Sequence, residues 1–162
     1  MSELPKVIPG PVRLEYTIVA GRHLSRYLRA LAERRIVGGR CAGCRKVYVP
    51  PRGACPTCAL PTDEEVEVSE RGTVTTFCIV NISFGNSALP PPYAAASVLL
   101  DGADIPIFHL VSGVAVDAVR MGLRVRAVWV PDAELGPTLE SIRWFEPSGE
   151  PDAEFASYAE HL

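Results

Sequence analysis

The stretch Arg40-Cys-Ala-Gly-Cys-Arg-Lys-Val-Tyr-Val-Pro-Pro-Arg-Gly-Ala-Cys-Pro-Thr-Cys58 contains two Cys-x-x-Cys pairs separated by ten residues. Zinc prefers four soft ligands at the corners of a tetrahedron, and each Cys-x-x-Cys turn can offer two thiolates to one ion. The spacing therefore predicts a zinc ribbon. Unrelated buried cysteines and a redox thiol pair are the alternatives, but two pairs this close together favour metal. The predicted ligands are Cys41, Cys44, Cys55 and Cys58.

Four cysteines fill the coordination sphere of zinc, whereas a catalytic zinc keeps one position open for water. We therefore expect a structural metal that stabilises a ribbon too small to fold on its own core. The fifth cysteine, Cys78, lies in an apolar stretch and is predicted to be a buried packing residue.

The segment before the cysteines has the apolar spacing of an amphipathic helix. The predicted helix covers residues 20–37, and Gly38-Gly39 is the expected stop signal. Its apolar side consists of Leu24, Tyr27, Leu28 and Leu31. Several arginines lie on another side, so the helix presents a basic face directly before the ribbon.

After the ribbon, five β-branched or aromatic stretches predict five strands, with a short helical turn at residues 115–121 before the fourth. The strands are expected at residues 73–80, 93–100, 105–111, 123–130 and 138–145. This order suits a small Greek-key barrel of the OB type. A five-stranded sandwich and an SH3-like barrel are the alternatives.

The predicted fold is therefore mainly β, with an N-terminal helix, a four-cysteine zinc ribbon and a five-stranded OB-fold barrel. Four segments follow: an extension with the helix (1–37), the ribbon (38–64), the barrel (65–146) and an acidic tail (147–162). In the tail, Phe155, Tyr158 and Leu162 have helical spacing, which predicts a short helix that docks on the body or on a partner.

The 162 residues carry a net charge of −3, but the charge is unevenly distributed. The segment from Arg22 to Arg52 carries +8, and the rest of the chain carries −11. A basic front on an acidic body favours an anionic partner, and a solvated helix face is the alternative. No stretch has the pattern of a membrane span or an export signal, so we expect a cytoplasmic protein with reduced thiols.

The sequence contains no nucleophile elbow, phosphate-binding loop or His-Glu-x-x-His motif. Of the three histidines, His109 lies in an apolar strand, where a histidine of the core or barrel face is commoner than a catalytic one. The residues therefore indicate no self-sufficient active site.

The order of helix, cysteine array and barrel resembles a family of zinc-ribbon plus OB-fold proteins, long described as a domain of unknown function and associated with acyl-CoA enzymes. The resemblance covers about residues 20–146. Ala59 departs from it, because relatives often have Gly after the last cysteine. The other matching stretches are Gly72-Thr-Val-Thr-Thr-Phe77, Pro91-Pro-Tyr93, Leu100-Asp-Gly102 and Gly122-Leu-Arg-Val-Arg-Ala-Val-Trp129.

This resemblance implies a non-catalytic accessory subunit that is required for the activity of a thiolase-like or lipid-transfer-type partner. The partner would be a thiolase or a retro-aldolase acting on CoA thioesters, including those of lipid or steroid side chains. The implied assembly is a hetero-oligomer in which the large subunit supplies the catalytic residues and the small one helps to hold the acyl-CoA.

CoA carries a 3′-phosphate and a diphosphate, and arginine binds phosphate in a bidentate manner. The candidate CoA-binding residues are Arg45, Lys46 and Arg52 on the ribbon, with Arg26 and Arg29 on the helix. The loop Ser83-Phe-Gly-Asn-Ser87 is long enough to cover a ligand or contact a partner.

A single-stranded nucleic-acid binder is the alternative function, because zinc ribbons and OB barrels both serve in that role. Such binders need a basic groove with aromatic stacking platforms, whereas this chain is 7% aromatic and its barrel segment is acidic. A zinc-dependent hydrolase or thiol redox protein is a third reading, against which the closed four-cysteine set argues.

Overall fold

The computed structural model describes residues 14–83 and 89–162. Within this part of the chain a single α-helix, α1 (Gly21–Ala32), precedes a three-stranded sheet and a closed five-stranded barrel. No helix there is long and apolar enough to cross a membrane. The ribbon sheet contains β1 (Ile36–Arg40), β2 (Val47–Tyr48) and β3 (Glu64–Val68). The barrel contains β4 (Arg71–Val80), β5 (Tyr93–Leu100), β6 (Ile107–Val111), β7 (Arg124–Trp129) and β8 (Ile142–Pro147).

The predicted fold class is confirmed, but the helix is shorter than predicted. It ends at Ala32 because Arg34 adopts φ 56°, a left-handed conformation that terminates helices, and the N–H of Glu33 and Arg35 donate to Ala30. The chain then turns into β1 within four residues of the helix end.

Gly38-Gly39 was wrongly predicted to be the helix stop, because both glycines lie inside β1. They allow the ribbon strands to pack closely: a Cβ on Gly38 would lie 2.6 Å from Val47 Cγ1, and one on Gly39 would lie 2.7 Å from the Thr62 carbonyl. Strand β3 pairs antiparallel with β1, so the ribbon sheet continues to Val68.

The barrel strands close in the order β4-β5-β6-β8-β7, and only the β6–β8 pairing is parallel. This is the Greek-key order predicted for the OB type. The helical turn before the fourth strand is a 3-10 turn at Val116–Ala118. Another 3-10 turn, Leu139–Ser141, precedes the last strand, which therefore begins at Ile142. The Thr138 side chain accepts a hydrogen bond from the Glu140 N–H at the start of this turn.

One core joins the helix, ribbon and barrel. Tyr27 and Leu31 of α1 belong to the same buried cluster as Val74 and Phe145 of the barrel. The β5–β6 turn adds polar contacts: Asp104 N–H donates to the Val47 carbonyl at 2.9 Å, and its carboxylate accepts from the Val47 N–H at 2.8 Å. The ribbon therefore packs on the barrel through a shared core and two hydrogen bonds.

Strand β4 contains a β-bulge where its pairing with β5 shifts register between Val74 and Thr76. Thr75 is buried, whereas Cys78 is exposed. The prediction that Cys78 is a buried packing residue was wrong, because Thr76, Phe77 and Cys78 are exposed in succession and this part of β4 lies beyond the core on both faces.

The acidic tail docks on the barrel of its own chain, which was one of the two predicted alternatives; the other was a partner. It forms two 3-10 turns, Phe155–Ser157 and Ala159–His161, rather than one helix. Of the three residues with helical spacing, Phe155, Tyr158 and Leu162, only Tyr158 is buried. The Arg120 guanidinium binds the Asp152 carboxylate at 2.6 and 2.8 Å. The tail therefore stabilises the fold through one aromatic anchor and charged contacts.

We expect Gly122→Ala to cost about 2 kcal/mol or more of unfolding free energy, measured by urea denaturation. Gly122 has φ +85°, where alanine is strained by about 1–2 kcal/mol. Its added Cβ would also lie 3.1 Å from the Ala153 carbonyl and 3.3 Å from the Tyr158 hydroxyl. Gly149→Ala is the matched control, because Gly149 has φ +82° and no atom within 4 Å. Equal losses in both variants would contradict the proposed contact with the tail.

Candidate functional site

The four predicted ligand cysteines converge on one point. The Sγ atoms of Cys41, Cys44, Cys55 and Cys58 all lie within 4.8 Å of one another. Those of Cys44 and Cys55 are 3.7 Å apart. A tetrahedral zinc with Zn–S bonds of about 2.3 Å separates its sulfurs by about 3.8 Å. The four sulfurs therefore need to approach one another by no more than about 1 Å to bind a zinc ion.

The two Cys-x-x-Cys turns have the same local geometry. The residue after each pair, Arg45 or Ala59, has φ 64° or 55° and donates its N–H to the carbonyl of the first cysteine. Backbone N–H groups also approach sulfur: Gly43 N lies 3.3 Å from Cys41 Sγ, and Cys58 N lies 3.4 Å from Cys55 Sγ. Both positions lie in the left-handed region that favours glycine, and this chain has Arg45 and Ala59 there.

Hydrogen bonding favours the thiolate form of one ligand against the opposing effect of its burial. Cys41 and Cys55 are buried, whereas Cys44 is exposed. The fully buried Tyr48 places its hydroxyl 3.2 Å from Cys55 Sγ, and this hydrogen bond lowers the pKa of Cys55. Because metals bind the thiolate, Tyr48 supports the site from outside the ligand set.

Within the described residues these cysteines are the one group of three or more side chains that could hold a metal ion. A four-thiolate set leaves no position for substrate or water, so a zinc held there serves folding rather than catalysis. The chemistry of the donor set thus agrees with a structural ribbon.

The three candidate CoA-binding residues of the ribbon lie in two separate segments, the turn after Cys44 and the loop before Cys55. On the first turn, Arg45 binds Glu64 at 3.0 Å, while Arg40 takes the other oxygen of that carboxylate at 2.6 Å. Lys46 is exposed beside Arg45. On the following loop, the Arg52 guanidinium lies 5.7 Å from the centre of the Tyr48 ring. Arg45 is partly neutralised by its ion pair.

The two candidate CoA-binding residues of the helix, Arg26 and Arg29, also lie in different environments. Arg26 is half-buried and lines a small recess with His23, Gly39 and Thr62, whereas Arg29 is exposed in the last turn of α1. The loop that carries Arg52 packs on the helix, because a Cβ on Gly53 would lie 2.8 Å from the His23 ring. The five residues thus line no common cavity among those described: Arg26 and Arg52 lie in different ones.

Sequence reasoning missed an apolar cleft between the barrel and the helix with its ribbon. A cavity of about 530 Å³ adjoins one of about 240 Å³, and both are lined by Phe108, His109, Leu139 and Ile142. We call the surface that lines these two cavities the apolar cleft. The apolar run of β6 carried no signal of the cleft, because only the structure shows that Phe108 is exposed beside the buried Ile107.

His109 forms part of the floor of the cleft. Its ring packs edge-on against Phe145 with the centroids 5.6 Å apart. Burial lowers the pKa of His109, so the imidazole is neutral near pH 7. The charged residues that line the cleft beside it are Arg52, Glu140 and Arg143. The prediction of a core or barrel-face histidine agrees with this environment.

We expect the fold to lose stability as the pH falls below about 6.5, the pKa of histidine in an unfolded chain. Below about pH 6.5 His109 gains a proton in the unfolded chain but not in the folded chain, because burial lowers its pKa there. The contribution of His109 to stability is therefore fully present above this pH and is lost as the pH falls towards the pKa of the folded chain. The measurement is the urea midpoint at about pH 7.5 and about pH 5.5. His109→Gln should show a smaller difference between the two, and an unchanged difference would contradict the assignment.

Two sequence families match this chain: the rubredoxin-like zinc ribbon domain of ChsH2 at residues 29–60 and the C-terminal OB-fold domain of ChsH2 at residues 65–130. Two archaeal DUF35 domain-containing scaffold proteins are similar. The one from Methanocaldococcus jannaschii is 34% identical over 58% of this chain and 67% of its own length. The one from Pyrococcus furiosus is 30% identical over 65% and 76%.

A probable enoyl-CoA hydratase alpha subunit of Thermomonospora curvata is 31% identical over 67% of this chain, which spans only 34% of that protein. Among solved structures, a chain of an Ltp2-ChsH2(DUF35) aldolase superposes with a TM-score of 0.62 at 26% identity, over 79% of this chain and 96% of that one. A DUF35 protein of unknown function from Sulfolobus solfataricus has a TM-score of 0.57 at 19% identity, over 67% and 78%, and shows the fold alone. With its four-cysteine ribbon and OB barrel, this chain belongs to the DUF35 family and shares both domains of ChsH2.

Proposed function

We propose that this chain is a non-catalytic scaffold subunit of a thiolase-fold enzyme that acts on CoA thioesters. The observation that carries the proposal is the similarity to a chain of the Ltp2-ChsH2(DUF35) aldolase, which extends over 96% of that chain. The two archaeal relatives named as scaffold proteins support the same role. The partner would supply the catalytic groups, and the assembly would be a hetero-oligomer in the cytoplasm.

The zinc centre supports a scaffolding role because its four thiolates leave no open coordination position. It also holds a surface in place: Tyr48 contacts Cys55 on one side and carries the Arg52 guanidinium over its ring. Zinc would therefore order the ribbon that presents the basic residues to a ligand or partner.

We further propose that the CoA phosphates bind the basic residues that lie before and within the ribbon. Among the described residues, Arg26, Arg29, Lys46 and Arg52 form no ion pair, whereas Arg45 is paired with Glu64. Arg52 is the leading candidate because stacking on Tyr48 orients its guanidinium at low entropic cost. Thioesters of lipid or steroid side chains are the proposed substrate class of the partner.

The test is co-expression with a thiolase-like protein encoded in the same operon, followed by size-exclusion chromatography and an acyl-CoA turnover assay. We expect one co-eluting complex whose activity requires this chain. Arg52→Ala should raise KM for the thioester about tenfold, since a hydrogen bond to a charged group contributes about 1.5 kcal/mol or more.

Arg126→Ala is the matched control for Arg52→Ala, because Arg126 pairs with Glu146 on the barrel and should leave KM unchanged. Absence of a complex would contradict the scaffold role, and salt-sensitive binding of single-stranded nucleic acid would then favour the alternative function. Equal KM effects in the two variants would reject Arg52 as a phosphate ligand.

A further inference from the structure

We propose that strand β4 pairs with the same strand of a second copy of this chain, so that two barrels join through one antiparallel sheet. The inference concerns residues 76–80, whose side facing away from β5 we call the open edge. It is carried by an edge without a strand neighbour among the described residues, by the lack of charge there and by exposed apolar side chains. It does not rest on the proposed function.

Strand β4 has two strand neighbours at its start but only one at its end. Its pairing with β7 covers Arg71 to Thr73, and the N–H and carbonyl of Val74 form the last hydrogen bonds on that side. Pairing with β5 continues to Val80. The bulge between Val74 and Thr76 lies where the pairing with β7 ends, and bulges bend a strand. Within the described residues, the backbone groups at the open edge therefore have no strand to pair with.

The open edge carries no charged side chain. Between Arg71 and Asp101 the sequence contains no Asp, Glu, Lys or Arg, so the rest of β4 and all of β5 are uncharged. Proteins usually protect a free sheet edge from other strands with charged side chains or proline. The first proline after β4 is Pro90, which lies beyond the strand. The open edge therefore has neither form of protection.

The outer strand of the ribbon sheet shows the usual protection. The sheet order is β2-β1-β3, so β3 has a free side. Glu64, Glu65 and Glu67 are all exposed on this strand. Two copies that met along β3 would place like charges opposite each other, which is unfavourable. The chain therefore opposes self-pairing at β3 and has no such opposition at the open edge.

The side chains at the open edge and just beyond it leave apolar surface in contact with water. Thr76, Phe77 and Cys78 are exposed in succession, with Phe77 at 38%, and Ile82 after the strand is 69% exposed. A second strand would cover part of this surface, and burial of apolar surface is favourable. Aromatic and β-branched side chains that face each other across an antiparallel pair add to the stabilisation.

A second copy of this chain is the partner that matches these properties. Two antiparallel strands can be related by a two-fold axis, so the same edge can serve both partners. The two edges then have equal length and no charge, so no unpaired charge is buried. Each copy occupies the edge of the other, and the contact closes as a dimer. Because five paired residues form a small interface, we expect a dimer that dissociates on dilution.

The first test measures the mass of the zinc-loaded chain by sedimentation velocity over a concentration series. We expect monomers in dilute solution and dimers in concentrated solution. Phe77→Lys should weaken the dimer at least about tenfold, because it places like charges near the two-fold axis and adds a charge to the covered surface. Phe108→Lys is the matched control, since Phe108 is 70% exposed on β6, outside the open edge. Circular dichroism checks that both variants fold.

The second test uses Cys78 to locate the contact. Cys78 is the one cysteine outside the ligand set, so a short crosslinker with two maleimide groups reacts with it in the zinc-loaded chain. Both copies of Cys78 lie near the axis of the proposed dimer, and we expect a covalent dimer wherever the non-covalent one forms. Phe77→Lys should prevent this crosslink, and Phe108→Lys should not. Cys78→Ala should abolish it.

A chain that stays monomeric up to about 1 mM would overturn the inference. A dimer that Phe77→Lys and Phe108→Lys weaken equally, or one that gives no crosslink through Cys78, would also overturn it. If the chain alone is monomeric and Phe77→Lys loses the complex with a thiolase-like protein, the open edge belongs to the catalytic subunit instead. The dimer is measured with this chain alone, so its failure leaves the proposed function standing, and a missing partner complex leaves the dimer standing.

Discussion

Cys55→Ala is expected to remove bound zinc and to unfold the ribbon, the largest change we predict for any single substitution in this chain. Cys55 is 2% exposed, lies among the other three thiols and accepts the hydrogen bond from Tyr48. Structural zinc contributes about 10–16 kcal/mol of apparent binding energy in small ribbons, which exceeds what so small a core supplies. The measurements are zinc content by mass spectrometry and thermal unfolding by circular dichroism.

Cys78→Ala is the control for this prediction, because Cys78 is an exposed thiol of the barrel strand β4. It should retain one zinc per chain and the thermal midpoint of the unmodified protein. A strong zinc chelator added to the unmodified protein should reproduce the loss seen in Cys55→Ala. Retention of full zinc by Cys55→Ala would show that the cluster does not act as a four-thiolate site.

Phe145→Ala is expected to destabilise the barrel by about 3–5 kcal/mol, the usual cost of emptying a buried aromatic site. Phe145 has no exposed surface, and its strand β8 pairs with Ala127 on β7 and with Val111 on β6 at this position. Its ring also supports His109 in the floor of the cleft. Urea denaturation measures the change in unfolding free energy.

Phe155→Ala removes the same side chain from a largely exposed position of the tail and should cost no more than about 1.5 kcal/mol, the upper value for its edge-on contact with Tyr158. If both phenylalanine variants lost equal stability, the packing role assigned to Phe145 would be wrong. A smaller loss in Phe145→Ala than about 3 kcal/mol would mean that the surrounding strands collapse into the space.

Much of the fold could be predicted because its signals are local. The two Cys-x-x-Cys pairs bring their thiols together through turns of only four residues, and the alternating strands report their own buried faces. Arg124 and Arg126 alternate along β7, and they form ion pairs with Asp101 and Glu146.

The wrong predictions have a common cause, since each concerns a residue whose environment is set by a distant segment. Ile36 and Val37 were assigned to the end of the helix, yet they pair with β3, some thirty residues later. Cys78 is exposed because, among the described residues, no element covers either face of β4 at residues 76–78. The loop at residues 83–87 lies mostly outside the described residues, so its suggested role as a cover stays a prediction.

The sequence by itself determined the four ligands of the zinc site, the number and order of the barrel strands and the excess of positive charge before and within the ribbon. These features depend on spacing within short segments, which the chain carries into any fold. Only the tertiary structure decided that Arg45 is ion-paired while Arg52 stacks on Tyr48, and that an apolar cleft exists. The cleft is built from α1, the ribbon loop, β6 and the turn before β8, so its surface forms only when distant segments pack together.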